Sequence, residues 1–226
     1  MISNLPPNLS SAKVGTPNVL RQIRLLSLLH AAEVAGIAPL SATRMHQLAY
    51  LTDALAPVWE LAPLTPELLK LYGTPYDAGL QSDMDRLVGT GLARARDLSY
   101  FQDDRGRWRV AALYSLNLEP SLPLLRELDR LPDEREAAHV TKEICLAVSA
   151  LPPDAVDQVL QLDVAYSSPT SSDNTLLSLY DSDGKNSTSR AAAQFQQLVP
   201  AGASLNPAEQ ANLYIRHLYR IATHVA

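Results

Sequence analysis

The chain has 226 residues, of which 46% are hydrophobic and 19% are charged, and this composition is typical of a globular protein with one or two domains. The 19 Lys and Arg residues against 24 Asp and Glu residues give a net charge of −5, which disfavours a nucleic-acid-binding protein that is basic over its whole surface. The only cysteine, Cys145, excludes an intrachain disulfide framework and a cysteine-rich zinc module.

The N-terminal residues 1–17 combine three prolines with several Ser and Asn residues and predict a flexible segment. They lack the basic stretch followed by an apolar run that marks a secretory signal. No stretch of the chain has the 18 or so consecutive apolar residues of a transmembrane helix. We therefore expect a cytoplasmic protein that makes no membrane contact.

Apolar residues at helical spacing predict a first helix over 18–35, which ends at Gly36. Ser41 is a suitable N-cap for a second helix over 42–56. The proline-rich stretch that follows predicts a short helix over 66–72.

A third helix is predicted over 76–90, followed by strands over 92–98 and 108–116. The residues 103–106, Asp-Asp-Arg-Gly, favour a turn between the two strands. Three helices followed by a β-hairpin is the element order of a winged helix-turn-helix. We therefore predict a winged-helix domain over 18–118, with the hairpin as its wing.

The remainder of the chain, 119–226, is acidic and predicts a separate helical domain. The predicted fold class is thus mainly α (α+β). Between the predicted helices lie two polar loops around a short apolar run at 176–180. The helices are predicted over 122–131, 132–151, 152–162, 189–198 and 207–225.

Catalytic and cofactor-binding motifs are not found in the sequence, which has neither a P-loop nor a Gly-X-Gly-X-X-Gly motif. His139 and Glu143 have the i, i+4 spacing of two zinc ligands, but no third ligand on that face lies nearby in sequence. Cys145 is flanked by apolar residues and is predicted to be buried. We therefore predict a non-enzymatic protein with no cofactor and no metal.

A basic cluster on the predicted wing is the first candidate site. Strand alternation places Arg94 and Arg96 on one face of the first strand, and Arg107 and Arg109 on one face of the second. Guanidinium groups that share a surface bind phosphates or acidic side chains. A solvated strand face neutralised by nearby acids is the open alternative. The full cluster is Arg94, Arg96, Arg105, Arg107 and Arg109.

The third predicted helix is the second candidate site, because a winged helix that reads DNA presents Arg, Lys, Asn or Gln there. Here the helix is acidic, and three Asp residues near a duplex would repel the phosphates. Sequence-specific binding in the major groove is therefore disfavoured, and a protein-docking face is favoured. The candidate face consists of Asp77, Asp83, Asp85 and Arg86.

Segments throughout the chain are similar to a small bacterial family whose members are the middle components of three-component ABC-ATPase systems. A weaker similarity, over 72–87, links the chain to antitoxin proteins with a winged-helix-like, proteolysis-adaptor domain. The segments similar to the middle components are 23–29 (IRLLSLL), 30–33, 41–50 (SATRMHQLAY), 56–59 (APVW), 73–76 (GTPY), 83–92 (DMDRLVGTGL), 106–116, 163–169 (DVAYSSP), 186–195 and 213–218 (LYIRHL).

This resemblance implies an accessory subunit that contributes no chemistry. In such systems an SMC-like coiled-coil ATPase is encoded beside an effector, often a nuclease, and the assembly acts in antiphage or anti-plasmid defence. The middle protein is expected to bridge its partners, and DNA contact through the wing, if made, is expected to be non-specific. A winged-helix transcriptional regulator or antitoxin that binds DNA is the alternative function.

Overall fold

The computed structural model describes residues 16–102, 106, 108–168, 172–181, 183–200 and 202–225, with backbone alone at 16–18, 109 and 225. The protein is a mixed α+β fold, 58% helix and 17% strand, with small open sheets. The predicted α+β class is confirmed at this level, whereas the winged helix-turn-helix stays a prediction. Residues 1–15 and most of the predicted turn at 103–106 lie outside the described residues.

The described helices mostly follow the predicted ones. The final helix has the predicted bounds, and the helix predicted over 189–198 divides into an α-helix and a 3₁₀ helix, Gln194–Leu198. A second 3₁₀ helix, Ala56–Trp59, continues the second α-helix. The α-helices are α1 (Thr16–Val34), α2 (Ala42–Leu55), α3 (Ala78–Gly89), α4 (Leu118–Leu128), α5 (Pro132–Ser149), α6 (Ala155–Leu162), α7 (Ser187–Ala193) and α8 (Pro207–Val225).

The described strands form two antiparallel sheets of three strands each. The strands are β1 (Leu40–Ser41), β2 (Glu67–Leu71), β3 (Thr74–Tyr76), β4 (Ala93–Gln102), β5 (Trp108–Leu116) and β6 (Thr175–Ser178). One sheet has the order β1-β5-β4 and contains the predicted hairpin. The other has the order β3-β2-β6 and joins strands from both halves of the chain.

Local signals explain the boundaries of the first two helices. The Ser41 hydroxyl caps α2 by accepting a hydrogen bond from the backbone N–H of Arg44 at 3.1 Å. Gly36 has φ 71°, a left-handed conformation that glycine adopts without a steric penalty, and it turns the chain out of α1. Both residues occupy the positions that the sequence predicts for them.

The helix predicted over 66–72 is wrong, because Glu67–Leu71 form β2 in the centre of the second sheet. This strand pairs with β3 on one side and with β6, far along the chain, on the other. Buried Leu68 lies opposite buried Leu177 across the β2–β6 pair. Backbone pairing on both sides and this contact favour a strand over a short helix.

The hydrophobic core is one contiguous cluster drawn from both halves of the chain. Helix α1 packs along α5, and the cluster includes Leu29 of α1 together with Ile144 of α5. It continues through Tyr166 to Tyr214 and Ile215 of α8. The division into domains at residues 118 and 119 stays a prediction, and its two halves share this core.

Candidate functional site

The β4–β5 hairpin carries a group of exposed, large apolar side chains. Tyr100 is 70% exposed and Trp108 is 68% exposed, and Leu98, Phe101 and Val110 are exposed as well. Tyr100 lies opposite Val110 in the hairpin, and Trp108 lies opposite Gln102. Residues opposite each other in an antiparallel pair share a face, so Tyr100, Val110 and Trp108 form one apolar patch.

The patch continues the face of the hairpin that is buried at its base. On β5 the alternate residues Ala112, Tyr114 and Leu116 are buried in the core, and Val110 and Trp108 follow on the same face. Strand β1 pairs with β5 only near the base, opposite Leu113 and Tyr114. Beyond that point the two hairpin strands pair only with each other among the described residues, so the patch projects past the core.

A β-bulge sets which residues face the patch. The register of β4 shifts between Arg96 and Ser99, and Asp97 within the bulge has φ 52°. A bulge places two residues of one strand opposite one residue of the other, so the side chains beyond it change face. Without the shift Phe101 instead of Tyr100 would share the face of Val110.

The arginine cluster is only partly described. Arg94 and Arg96 are exposed and lie on one face of β4, opposite Ser115 and Leu113, as the alternation predicts. Arg109 belongs to β5, where it lies opposite Phe101, whereas Arg105 and Arg107 lie outside the described residues. A common surface for Arg94 and Arg96 is therefore observed. The five-residue cluster stays a prediction.

The candidate face on α3 is not one exposed surface. Asp77 is the N-cap of the helix and accepts a hydrogen bond from the N–H of Gly79 at 2.8 Å. Asp85 is exposed and accepts a hydrogen bond from the side-chain amide of Gln81. Asp83 is 0% exposed and points into the protein. Arg86, more than half exposed, reaches back to Asp83.

Asp83 joins α3 to α1. Its carboxylate lies 2.5 Å from Nε of Arg21 and 2.9 Å from Nη1 of Arg86, and it accepts a hydrogen bond from Gln22. An ionised carboxylate that is removed from water needs such partners, and here two of them come from α1. Asp83 therefore does not lie on an exposed partner-binding surface, contrary to the sequence prediction, because three side chains of its own chain bind it in the interior.

A second buried carboxylate, which the sequence analysis did not single out, connects four parts of the chain. Asp163 follows α6 and is 0% exposed. It accepts hydrogen bonds from the hydroxyls of Tyr50 at 2.5 Å, Tyr214 at 2.8 Å and Thr188 at 2.8 Å. The backbone N–H of Tyr166 donates a further bond at 3.1 Å. We call these residues the Asp163 cluster.

The Asp163 cluster is a structural element without access for a substrate. Burial, and secondarily the charge of Asp163, raises the pKa of both Tyr50 and Tyr214, so both hydroxyls stay protonated and donate. Its members lie in α2, after α6, in α7 and in α8. All of them fall within the segments that carry the family resemblance, which was the available signal for their importance.

The structure places the cysteine and the histidine–glutamate pair that the sequence offers as reactive or metal-binding groups. Cys145 is buried, and burial raises its pKa to about 12, so its thiol stays protonated at neutral pH. His139 lies 3.8 Å from Glu143 on α5. Among the described residues, no three His, Cys, Asp or Glu side chains are grouped closely enough to hold a metal ion.

Comparisons with protein-family models, with curated proteins and with solved structures found no match to this chain. In the described ranges, no helix combines the length and the apolar character needed to cross a membrane. The candidate functional surfaces are the two faces of the hairpin, with the apolar patch on one face and Arg94 and Arg96 on the other.

Proposed function

We propose that this protein is a non-enzymatic, cytoplasmic accessory subunit that docks on the ATPase or effector subunit of an SMC-like ABC-ATPase complex in antiphage or anti-plasmid defence. One observation carries the proposal: the β4–β5 hairpin extends past the core and exposes Tyr100, Trp108 and Val110 on one face. Contiguous exposed apolar patches on soluble proteins mark interaction sites. The sequence resemblance to middle components supplies the class of partner.

The arrangement of elements supports a winged helix as the docking module. Helices α1, α2 and α3 precede the hairpin, and β1, between α1 and α2, pairs with β5. A winged helix has this order and this strand pairing. The β2–β3 pair stands between α2 and α3 as an insertion, and through β6 it connects the module to the second half of the chain.

The hairpin offers two ways of binding a protein partner. Its aromatic side chains can be buried in a partner's pocket, and Tyr and Trp are the residues that most often dominate interface energies. In addition, β4 is an edge strand whose outer backbone groups can pair with a strand of the partner. The two modes are compatible, because backbone pairing fixes the register and side-chain burial provides most of the free energy.

The buried polar groups support a role without chemistry. Among the residues that the structure describes, Asp83 and Asp163 are the two fully buried carboxylates, and both are bound by side chains of this chain. Groups engaged in this way hold elements together and are not presented to a substrate. On this proposal the protein binds its partners through its exposed surface and does not use a cleft of reactive residues.

Co-expression with the genes next to its own tests the proposal. Affinity purification of the tagged chain should recover the coiled-coil ATPase or the effector in defined stoichiometry. Replacement of both Tyr100 and Trp108 by Ser should abolish recovery, because it removes the apolar patch while leaving the core intact. A matched control is Leu198→Ser, since Leu198 is 77% exposed but lies far along the chain in a 3₁₀ helix.

The outcomes separate the adaptor from other functions. Recovery that is lost with the hairpin variant and kept with Leu198→Ser supports docking through the hairpin. Purification of the wild-type chain alone, without partner, contradicts the proposal. Equal recovery with all variants contradicts the hairpin as the docking surface.

A DNA-binding regulator or antitoxin is the second candidate, and one observation favours it. Arg94 and Arg96 are exposed on the outer face of β4, where they can contact phosphates. The repulsion expected from α3 is also smaller than its sequence implies, because Asp83 is buried against Arg21 and Arg86.

Fluorescence anisotropy with labelled duplexes separates this candidate from the adaptor. A regulator should bind its own promoter in preference to a scrambled duplex, with an affinity that falls steeply as salt rises. Replacement of Arg94 and Arg96 by Ala should then weaken binding at least tenfold. Binding that does not distinguish the two duplexes would rule out the regulator and leave at most non-specific contact.

A further inference from the structure

A cavity of about 470 Å³ lies between α1, α2, α5 and the segment 61–65. Its walls are mainly apolar and include Leu25 and Leu28 of α1, Leu64, and Val140 of α5. Small-molecule sites have such volumes, are lined mostly by apolar side chains, and contain a few polar groups that orient the ligand. The hairpin patch lies on other elements and has no part in this cavity.

One wall of the cavity carries a carboxylate that two backbone donors hold in place. Asp53 of α2 accepts hydrogen bonds from the backbone N–H groups of Leu64 at 2.9 Å and Thr65 at 3.0 Å, one at each oxygen. A carboxylate has about four acceptor positions, so each oxygen of Asp53 can accept a further bond. The neighbouring Thr52 hydroxyl is buried and has no hydrogen-bond partner among the described residues.

Two arginines and two acids line the cavity, and both arginines are ion-paired to acids that lie outside the lining. Arg21 is ion-paired to Asp83, and Nε of Arg24 lies 3.2 Å from Glu134. Asp83 and Glu134 do not line the cavity. The acids that do line it are Asp53 of α2 and the exposed Asp133 near the N-terminus of α5. Burial raises the pKa of Asp53 to about 6, although Arg24 acts to lower it, so the carboxyl is ionised at neutral pH in a poorly solvated position.

From this geometry we infer that the cavity is a binding site for a small amphiphilic amine, whose apolar body packs against the leucines and whose ammonium group donates to Asp53. An ammonium offers three donors and no acceptor, which matches a wall that carries free acceptor positions. It also places a positive charge beside a half-buried carboxylate whose charge Arg24 offsets only in part. The site is separate from the proposed docking function and does not depend on it.

Ligand-observed NMR titrations of the full-length chain test this inference. The probes are phenethylamine and hexylamine, each compared with the alcohol of the same skeleton, so that only the ammonium group differs. The amines should bind at least tenfold more tightly than the alcohols at pH 7.5. Asp53→Asn should remove this preference, because the amide is neutral. It keeps only one of the two oxygens that accept from the backbone, so alcohol binding in this variant serves as the check that the cavity is intact.

Two further variants distinguish the cavity from the surface. Ala49→Leu places a larger side chain into the cavity wall and should abolish binding of both amine and alcohol. Ala222→Leu, on the half-buried side of α8 and outside the cavity lining, is the matched control and should bind as the wild-type chain does. Circular dichroism establishes that each variant is folded.

Three results with the probes and variants above overturn the inference, and a fourth applies to the case in which Ala49→Leu does not fold. The three are the absence of binding by any probe, equal affinities for amine and alcohol, and amine binding that persists in Ala49→Leu. If Ala49→Leu does not fold, Thr52→Val provides the second variant. It keeps the size of the side chain and removes the buried hydroxyl. The affinity for the amine should then fall at least threefold. Unchanged amine affinity in both Thr52→Val and Asp53→Asn also overturns it.

Discussion

The Asp163 cluster should hold the two halves of the chain together, and single-atom deletions test this. Tyr214→Phe removes the hydroxyl that donates to Asp163 at 2.8 Å and that also accepts from the N–H of Val164 at 3.3 Å. Tyr50→Phe removes the hydroxyl on the other carboxylate oxygen. Neither substitution changes the apolar ring that packs in the core.

The magnitude follows from the charge and the burial of the acceptor. A hydrogen bond to a charged group contributes about 1.5–3 kcal/mol net. We therefore expect Tyr50→Phe to lower the free energy of unfolding by about 2 kcal/mol. Tyr214→Phe should cost about 3 kcal/mol, because it also leaves the N–H of Val164 without its acceptor. The double variant should deviate from additivity by at least about 0.5 kcal/mol, since both hydroxyls bind one carboxylate.

Urea unfolding followed by far-ultraviolet circular dichroism measures these differences. Tyr219→Phe is a matched control, because Tyr219 lies on the same helix and is only half-buried. It should change the free energy of unfolding by less than about 0.5 kcal/mol. If Tyr50→Phe and Tyr214→Phe were as mild as this control, the hydroxyls would not solvate Asp163, and the cluster would not explain how the halves are joined.

Two further predictions concern other buried titratable groups. Asp83→Ala should destabilise the protein by about 2 kcal/mol, because it removes the buried carboxylate that accepts hydrogen bonds from the partly exposed Arg21 and Arg86. Asp85→Ala on the exposed side should cost less than about 0.5 kcal/mol. Equal costs in urea unfolding would refute the burial of Asp83. Burial lowers the pKa of His46 from 6.5 to about 4, so the unfolded state binds the proton first and His46 reduces stability as the pH falls from 6.5 to 4. Burial raises the pKa of Asp53 from 3.8 to about 6, so the folded state binds the proton first and Asp53 increases stability as the pH falls from 6 to 3.8. Between pH 7 and pH 4.5, His46→Gln should therefore lose less of its free energy of unfolding than the wild-type chain, and Asp53→Asn should lose more. Urea unfolding at the two pH values measures both losses. The reverse order would contradict the direction of both pKa shifts.

Elements set by local signals were predictable from the sequence. The strand Trp108–Leu116 and the helix Pro207–Val225 have the predicted bounds. The capping role of Ser41 followed from its place before an apolar helical pattern. Periodicity and capping act within a few residues, so one sequence contains enough information to locate these elements.

Features that depend on distant partners were not predictable in this way. Strand β2 is a strand because β6 pairs with it, and the short run Glu67–Leu71 has no pattern of its own that would indicate this. Asp83 was read as a surface acid because its partner Arg21 lies on another helix. Nothing in the local sequence distinguishes Asp163 from the other acids, because its partners Tyr50 and Tyr214 are distant in sequence.

The candidate site was predictable in part. The cluster of basic residues predicted an arginine surface on the hairpin, and Arg94 and Arg96 do share an exposed face. The apolar patch was missed because Tyr100, Trp108 and Val110 have the composition of an ordinary buried strand face. The structure shows that the hairpin extends beyond the core. The end that carries the patch therefore has nothing packed on it within the described residues.

The central claim is that the hairpin patch binds a protein subunit, and a binding isotherm tests it most directly. The purified chain would be titrated against the purified ATPase encoded beside it, with Tyr100→Ser/Trp108→Ser as the variant and Leu198→Ser as the control. Loss of two aromatic anchors, at about 2 kcal/mol for each hot-spot residue, predicts an affinity for the double variant that is weaker by a factor on the order of 10³. An unchanged affinity in the double variant, or no binding of the wild-type chain to either the ATPase or the effector, would contradict the account.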